Sequence, residues 1–146
     1  MSDPVNPIVR LLRSPALIRV CRIGVGLVML AAALAKIGDT SAFASQIHHF
    51  RLIPPAADNL LAMTLPWVEL LIGLALVTGV RARSGAWLSA GLMGVFTVAV
   101  ALAVARKLDI ECGCFGTADA TRVGTAKLLE NLGLTAAAAV ASLRLR

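Results

Sequence analysis

Two cysteines separated by one glycine, Cys112-Gly113-Cys114, are the residues of this sequence best suited to chemistry. Thiols this close in sequence can join in a disulfide or bind one soft metal ion. A disulfide that closes so short a ring is strained and therefore easily reduced, and Gly113 relaxes the demand on the backbone. The spacing indicates a redox-active dithiol, with two small packed side chains as the plain alternative. Cys21 lies within an apolar stretch, where a lone thiol usually packs as a small hydrophobic group.

A second set of polar side chains lies inside apolar stretches, where such groups are costly and usually paired or functional. The set comprises Lys36, Glu69, Glu130 and Asn131. A helix rise of about 1.5 Å per residue puts Glu69 about 13 Å below the outer membrane boundary. Lys36 lies near the outer end of its helix, and Glu130 and Asn131 lie about one turn from the outer end of theirs. We expect all four beneath the cysteines. Glu69 either pairs structurally, bonds backbone freed by Pro66, or transfers protons beside a redox centre. Lys36 either extends to the interface or lies near Glu69.

The composition identifies the environment that holds these groups. Of 146 residues, 58% are hydrophobic and 15% are charged, and the mean hydropathy is +0.84. Soluble domains are roughly 45–50% apolar and about 25% charged. The chain therefore has too little polar surface for a soluble globule, and its apolar content excludes intrinsic disorder. With three cysteines it is not a disulfide framework. It is predicted to be an integral membrane protein.

Four stretches are long and apolar enough, or nearly so, to form transmembrane helices. They cover residues 17–37, 60–80, 85–105 and 127–143, of which the last is the shortest and richest in alanine. The predicted fold is all-α, an integral membrane four-helix bundle. It consists of a cytoplasmic N-terminal segment, residues 1–16, and a membrane domain, residues 17–146. Glycines that would allow close helix packing are Gly24, Gly26, Gly73, Gly91 and Gly94.

The distribution of basic residues predicts the orientation in the membrane. One side carries eight of them, namely Arg10, Arg13, Arg19, Arg22, Arg81, Arg83, Arg144 and Arg146, against six on the other side. The bias favours an inner-membrane protein with both termini in the cytoplasm. Two long connections, residues 38–59 and 106–126, then face outward, where the cysteines can be oxidised. The chain has no tyrosine and only six aromatic residues, so a nucleic-acid partner is not expected.

Three segments resemble the methylamine utilisation protein MauE family, which is related to the DoxX-like membrane proteins. Glu111-Cys112-Gly113-Cys114-Phe115-Gly116 resembles its Cys-Gly-Cys-Phe-Gly element. Residues 26–36, followed by Phe43, resemble its first helix, and Leu65-Pro66-Trp67-Val68-Glu69-Leu70-Leu71-Ile72-Gly73 resembles its second. The likeness covers most of residues 18–140. The family pattern has a basic residue before the Asn of the fourth helix, where this chain has Glu130.

The resemblance implies a four-helix inner-membrane protein linked to redox maturation. Family members of this kind are associated with a thioredoxin-like partner and with the formation of an amine dehydrogenase whose small subunit is rich in disulfides. Members also occur without that pathway, so the resemblance does not by itself identify the client protein.

The main hypothesis is a membrane thiol–disulfide relay or maturation factor that works with a thioredoxin-like periplasmic protein. As an enzyme it would be a thiol–disulfide oxidoreductase. Cys112, Cys114 and Glu69 are the candidate catalytic residues, and the supporting residues are Lys36, Glu130, Asn131 and Phe115. A quinone within the bundle is a candidate electron carrier by analogy alone. No metal is assigned in this hypothesis. Two alternatives remain: a non-catalytic scaffold for a redox partner, and a metal-handling protein that uses the cysteines with His48 and His49.

Overall fold

The computed structural model describes residues 7–12, 14–115 and 121–142. Within them the regular elements are six α-helices: α1 (Pro7–Leu12), α2 (Pro15–Ile37), α3 (Thr40–His49), α4 (Pro55–Thr78), α5 (Ala82–Ala105) and α6 (Thr125–Ser142). The prediction of an all-helical protein is confirmed. Arg13, Arg144 and Arg146, which contribute to the predicted orientation, and Gly116 of the cysteine motif lie outside the described residues.

Three of the described helices, α2, α4 and α5, are long and apolar enough to cross a membrane. They correspond to three of the four predicted spans and make the chain a helical membrane protein. The helix at the fourth predicted span, α6, has 18 residues. It is less apolar because Lys127, Glu130 and Asn131 lie in its first half.

The exposed and buried faces of α4 are those expected of a helix in lipid. Large apolar side chains are exposed along one stripe, at Leu60, Met63, Trp67, Leu71 and Leu74. Their spacing of three or four residues is that of one helix face. The opposite face buries two carboxylic acids, Asp58 and Glu69, together with Pro66 and Leu76. Apolar groups therefore face outward and charged groups inward, since lipid favours the first and penalises the second.

The four long helices pack through contacts of α2 with α4 and α6, and of α5 with α4 and α6. They enclose a core to which each of them contributes: Val25, Met29, Ile72, Leu76, Ala86, Met93, Ala138 and Ala141. A polar contact joins α5 to α6, where the hydroxyl oxygens of Thr97 and Thr135 lie 2.9 Å apart.

Two of the five glycines predicted to allow close packing do so, at the crossing of α2 and α4. A Cβ atom on Gly26 would lie 2.9 Å from the Val77 side chain, and one on Gly73 would lie 2.8 Å from the Leu30 side chain. The prediction is wrong for Gly24, Gly91 and Gly94, because nothing lies within 4 Å of an added Cβ there. A glycine in an apolar helix allows a close contact only when it lies on the side of the helix that packs against another helix. The sequence does not reveal which side that is.

The first long connection contains a helix that the sequence analysis did not predict. Within residues 38–59, α3 begins after Asp39, whose carboxylate accepts a hydrogen bond of 3.0 Å from the backbone N–H of Ala42. This is the usual role of an aspartate at a helix N-terminus. Pro54 occupies the N-cap position of α4, which begins at Pro55, so α4 also starts earlier than the predicted span. The helix α3 lies against α4 and buries Phe43 and Gln46.

Candidate dithiol site

The cysteines lie in the connection between α5 and α6, on a short pair of antiparallel backbone segments. The Cys112 N–H donates to the Thr121 carbonyl at 3.1 Å, and the Val123 N–H donates to the Ile110 carbonyl at 2.8 Å. These bonds hold the segment that enters the motif against the segment that leads into α6. The backbone of Cys112 is therefore anchored, although the motif belongs to no helix.

Gly113 brings the motif close to α3. Its φ angle is +67°, in the left-handed region that glycine adopts without strain. A Cβ atom at this position would lie 2.6 Å from Oε1 of Gln46, which is too close for a real contact. The glycine between the cysteines is thus needed for its backbone conformation, and it also leaves room for the Gln46 side chain of α3 against the motif.

Both cysteines of the motif are free thiols, but their surroundings differ. Cys112 is buried, with 1% of its surface exposed, and Cys114 is half-buried. A hydrogen bond from the Cys114 thiol lowers the pKa of Cys112 to about 7 against the opposing effect of burial, and the charge of Lys127 acts in the same direction. The same bond, with burial, raises the pKa of Cys114 well above its ordinary value. The pair therefore favours a thiolate on Cys112 and a protonated thiol on Cys114.

A buried ion pair lies in the helices near the dithiol. The Lys36 ammonium on α2 donates to both carboxylate oxygens of Glu69 on α4, at 2.6 and 2.9 Å, and both side chains are 1% exposed. The rings of Phe43 and Phe96 lie 5.0 and 5.1 Å from the Lys36 nitrogen. Aromatic faces at this distance stabilise a cation. Of the alternatives for Lys36, extension to the interface is wrong, and Glu69 is paired with Lys36.

A small cavity connects the ion pair with Cys114. Its volume is about 20 Å³, and its lining includes Lys36, Glu69, Cys114, Asn131 and Glu130. The Asn131 amide donates to the Cys114 sulfur at 3.9 Å. Phe115 also lines the cavity. All the residues predicted to converge beneath the cysteines therefore do so, because α2, α4 and α6 present them at the same level. A cavity of this size holds about one water molecule.

Glu130 and Phe115 both contact Lys127. Lys127 lies one turn before Glu130 on α6, whereas Phe115 belongs to the cysteine motif. The Lys127 ammonium donates to Glu130 at 3.0 Å, and its nitrogen lies 5.9 Å from the centre of the Phe115 ring. The Glu130 side chain is 49% exposed, whereas the Lys127 side chain is 7% exposed. Glu130 is therefore at the edge of the site, and Lys127 is the buried member of this pair.

The two histidines do not join the cysteines. Nδ1 of His48 lies 2.8 Å from Oδ2 of Asp58, and His49 lines a separate groove with Asp109 and Glu111. Within the described ranges, no three His, Cys, Asp or Glu side chains are grouped to hold a metal ion. The metal-handling alternative therefore has no assembled set of ligands in this part of the chain.

Three contributors to the site were not identified as such from the sequence. Gln46 contacts the motif from the unpredicted helix α3, and Phe96 lies on the third span with no polar group to mark it. Lys127 is one of the six basic residues on the second side in the charge count, and no role in the site was predicted for it. Its spacing of three residues from Glu130 places the two on one helix face and could have indicated the pair.

The fold and the site together define a class of protein: a helical membrane protein that carries a dithiol beside a buried ion pair. The family model of the methylamine utilisation protein MauE matches residues 14–144, and the chain belongs to this family. The resemblance seen in the sequence is thereby confirmed.

The chain is similar to several curated proteins of this family. It is 35% identical over 125 residues to the methylamine utilization protein MauE of Paracoccus denitrificans, covering 85% of this chain and 67% of that protein. It is also 35% identical over 132 residues to the protein of the same name from Methylorubrum extorquens, covering 90% of this chain and 71% of the relative. A third relative, the protein of the same name from Paracoccus versutus, is 33% identical over 108 residues. That match covers 73% of this chain and 58% of the relative. No solved structure matches the chain.

Proposed function

We propose that this protein is a membrane thiol–disulfide oxidoreductase in which Cys112 and Cys114 alternate between dithiol and disulfide. The observation that carries the proposal is the unequal pair of thiols, one activated and buried, the other half-exposed beside a cavity with a carboxylate. Two thiols packed only for their size would need neither the hydrogen bond between them nor the polar groups around Cys114.

The two cysteines have different roles in the proposed exchange. A thiolate of the partner protein attacks the sulfur of Cys114, which is the more exposed of the two. The bond between the cysteines breaks, and Cys112 leaves as a thiolate. A thiol of lower pKa is the better leaving group, and the pKa of Cys112 is lowered to about 7. A second thiol of the partner then attacks the mixed disulfide and releases Cys114, so that the partner is oxidised and the dithiol is restored.

Glu69 is proposed to exchange protons with Cys114 through the cavity. When the disulfide forms again, Cys114 must lose a proton, and its raised pKa makes a nearby base necessary. The cavity that Cys114 lines also reaches the Glu69 carboxylate. Lys36 holds that carboxylate in place, and Asn131 orients the Cys114 sulfur.

The same proposal includes the orientation and the partner. We take α6 as the fourth span of a four-helix bundle, with the cysteine connection outside the inner membrane and both termini in the cytoplasm, as the basic residues favour. The partner is a thioredoxin-like periplasmic protein. The names of the relatives link them to methylamine utilisation, and we propose the same context for this chain.

Trapping of a mixed disulfide tests the proposal. The assay uses a thioredoxin-like protein that retains only its attacking cysteine. That cysteine is first joined to an aromatic thiol in a mixed disulfide, and the aromatic thiol is the leaving group. In Cys112→Ser, the Cys114 thiol attacks this disulfide and nothing can release the product, so a reducible band of higher mass appears on a non-reducing gel. In Cys114→Ser, the remaining thiol is buried, and the band is weak or missing.

The double variant Cys112→Ser, Cys114→Ser is the matched control and should trap nothing. A maturation assay in cells completes the test, and each of the three variants should lose activity there. Wild-type maturation by the double variant would instead identify a scaffold. Loss of a bound metal in both single variants, with no trapped partner, would identify the metal-handling alternative.

A further inference from the structure

A second hollow lies on the other side of the motif. It is a groove of about 260 Å³ between α3 and α4 on one side and α5 on the other. Its lining is almost entirely apolar and includes three phenylalanine rings, Phe43, Phe50 and Phe96. Phe96 also lines the small cavity, so its ring separates the two spaces. Cys114 faces the cavity with the ion pair, and Cys112 faces the groove.

The groove opens toward lipid. Residues at its edge are exposed and apolar: Val95 is 68% exposed, Leu52 40% and Leu61 38%. Val95 and Leu61 lie on α5 and α4, which are candidate membrane spans. A molecule dissolved in the bilayer can therefore enter without crossing a polar surface, whereas a water-soluble one would have to lose its hydration.

Two polar features interrupt the apolar lining and limit what the groove can bind. Among the described residues of the lining, Cys112 carries the one nucleophilic group. Gln46 also lines the groove, and its side-chain amide can donate to a carbonyl oxygen. An acyl chain would use neither group. An apolar ring with carbonyl oxygens and an affinity for electrons would use both.

We propose that this groove binds the ring of a membrane quinone, which oxidises the dithiol. The inference rests on the proposed function and names its electron acceptor. The volume of the groove exceeds the roughly 150 Å³ of a cavity that accepts benzene, so a substituted ring fits while its isoprenoid tail lies in lipid. The cavity beside the ion pair, of about 20 Å³, is too small for such a ring.

The reaction balances as a transfer of two electrons and two protons. The Cys112 thiolate attacks the quinone ring and forms a covalent adduct. The Cys114 sulfur, after its proton has passed through the cavity to Glu69, attacks Cys112, so that the S–S bond forms and the C–S bond breaks. Both electrons leave with the ring, which takes up two protons and becomes a hydroquinone. This step regenerates the disulfide that exchange with the partner consumes.

The test uses the full chain in lipid nanodiscs, reduced, under argon, with a short-chain ubiquinone. Quinol formation and loss of free thiols are followed together, and they should proceed in a ratio of one quinol to two thiols. Ala99→Phe puts a ring into the groove. Val95→Trp obstructs the edge of the groove at an exposed position, where a larger side chain meets little of the core. Each should slow quinone reduction about tenfold or more, equivalent to about 1.4 kcal/mol.

Val98→Trp is the matched control, because Val98 lies on the same helix, is 59% exposed and does not line the groove. It should react like the wild type, and both Val98→Trp and Val95→Trp should still exchange disulfides with the thioredoxin-like protein. Exchange with no reduction of quinone by the wild type would overturn this inference and leave the relay intact. Equal rates in the Ala99, Val95 and Val98 variants would also overturn it. Failure to form the disulfide even with a strong chemical oxidant would overturn both proposals.

Discussion

Replacement of Glu69 tests two roles of the buried ion pair: its contribution to the free energy of unfolding and its part in proton transfer from Cys114. In Glu69→Gln, Lys36 keeps its positive charge and its aromatic neighbours but loses the carboxylate that accepts two of its hydrogen bonds. The side chain of Lys36 is 1% exposed, so water cannot replace that carboxylate without a change in structure. We therefore expect the variant to be strongly destabilised as well as inactive.

The magnitude follows from the distance and the burial. Unit charges 2.6 Å apart attract by roughly 6 kcal/mol at an effective dielectric constant of about 20, and desolvation of the two groups offsets much of this. Removal of one partner from a buried pair costs about 3–5 kcal/mol, because the other charge is left uncompensated. Replacement of both partners by apolar side chains of similar size is close to neutral. The double variant Lys36→Met, Glu69→Leu should thus regain most of the lost stability.

Two measurements on the same variants decide whether the reasoning holds. The free energy of unfolding is measured by titration with dodecyl sulfate in micelles, and the rate of disulfide re-formation is measured with a chemical oxidant. We expect the double variant to be stable yet slow in disulfide re-formation, because no carboxylate receives the proton of Cys114. A cost below about 1 kcal/mol for Glu69→Gln would refute the account of burial. A stable double variant with the wild-type rate would remove Glu69 from the mechanism.

Three further predictions concern the motif. Alkylation of Cys112 by a small apolar reagent should increase as the pH rises through about 7, because the thiolate forms there, well below the ordinary value of 9.0. In Cys114→Ala, which lacks the donated hydrogen bond, that increase should move to higher pH. Gly113→Ala should cost about 1–3 kcal/mol from the left-handed backbone and should slow disulfide formation, because the added methyl group meets Gln46. In intact cells, a membrane-impermeant reagent should label Cys114 after mild reduction and should not label Cys21.

Each of these predictions has an outcome that contradicts it. An unchanged pH profile in Cys114→Ala would show that the neighbouring thiol does not activate Cys112. Gly113→Ala combined with Gln46→Ala should recover the rate but not the backbone cost, and no recovery would mean that contact with α3 does not limit the motif. Labelling of Cys21 alone would reverse the proposed orientation.

The elements that cross the membrane were predictable from the sequence because the bilayer imposes a length and a composition on them. Apolar stretches of about 20 residues have few alternatives, and α2, α4 and α5 lie where those stretches are. The helix α3 was not predictable in the same way. It has only 10 residues, and it buries Phe43 and Gln46. It packs against α4, and its own short sequence does not reveal that contact.

The sequence by itself indicated which groups could be reactive and that they lie near the same ends of their helices. The Cys-Gly-Cys motif and the buried carboxylate were evident from residue types and helix rise, so their convergence near one membrane surface was predicted. Only the tertiary structure decided which side chains meet, because the rotation of each helix about its axis depends on packing against the others. That rotation pairs Lys36 with Glu69. The anchored connection between α5 and α6 places Cys114 against the cavity and Cys112 against the apolar groove. The two thiols, equivalent in the sequence, are thereby given different environments.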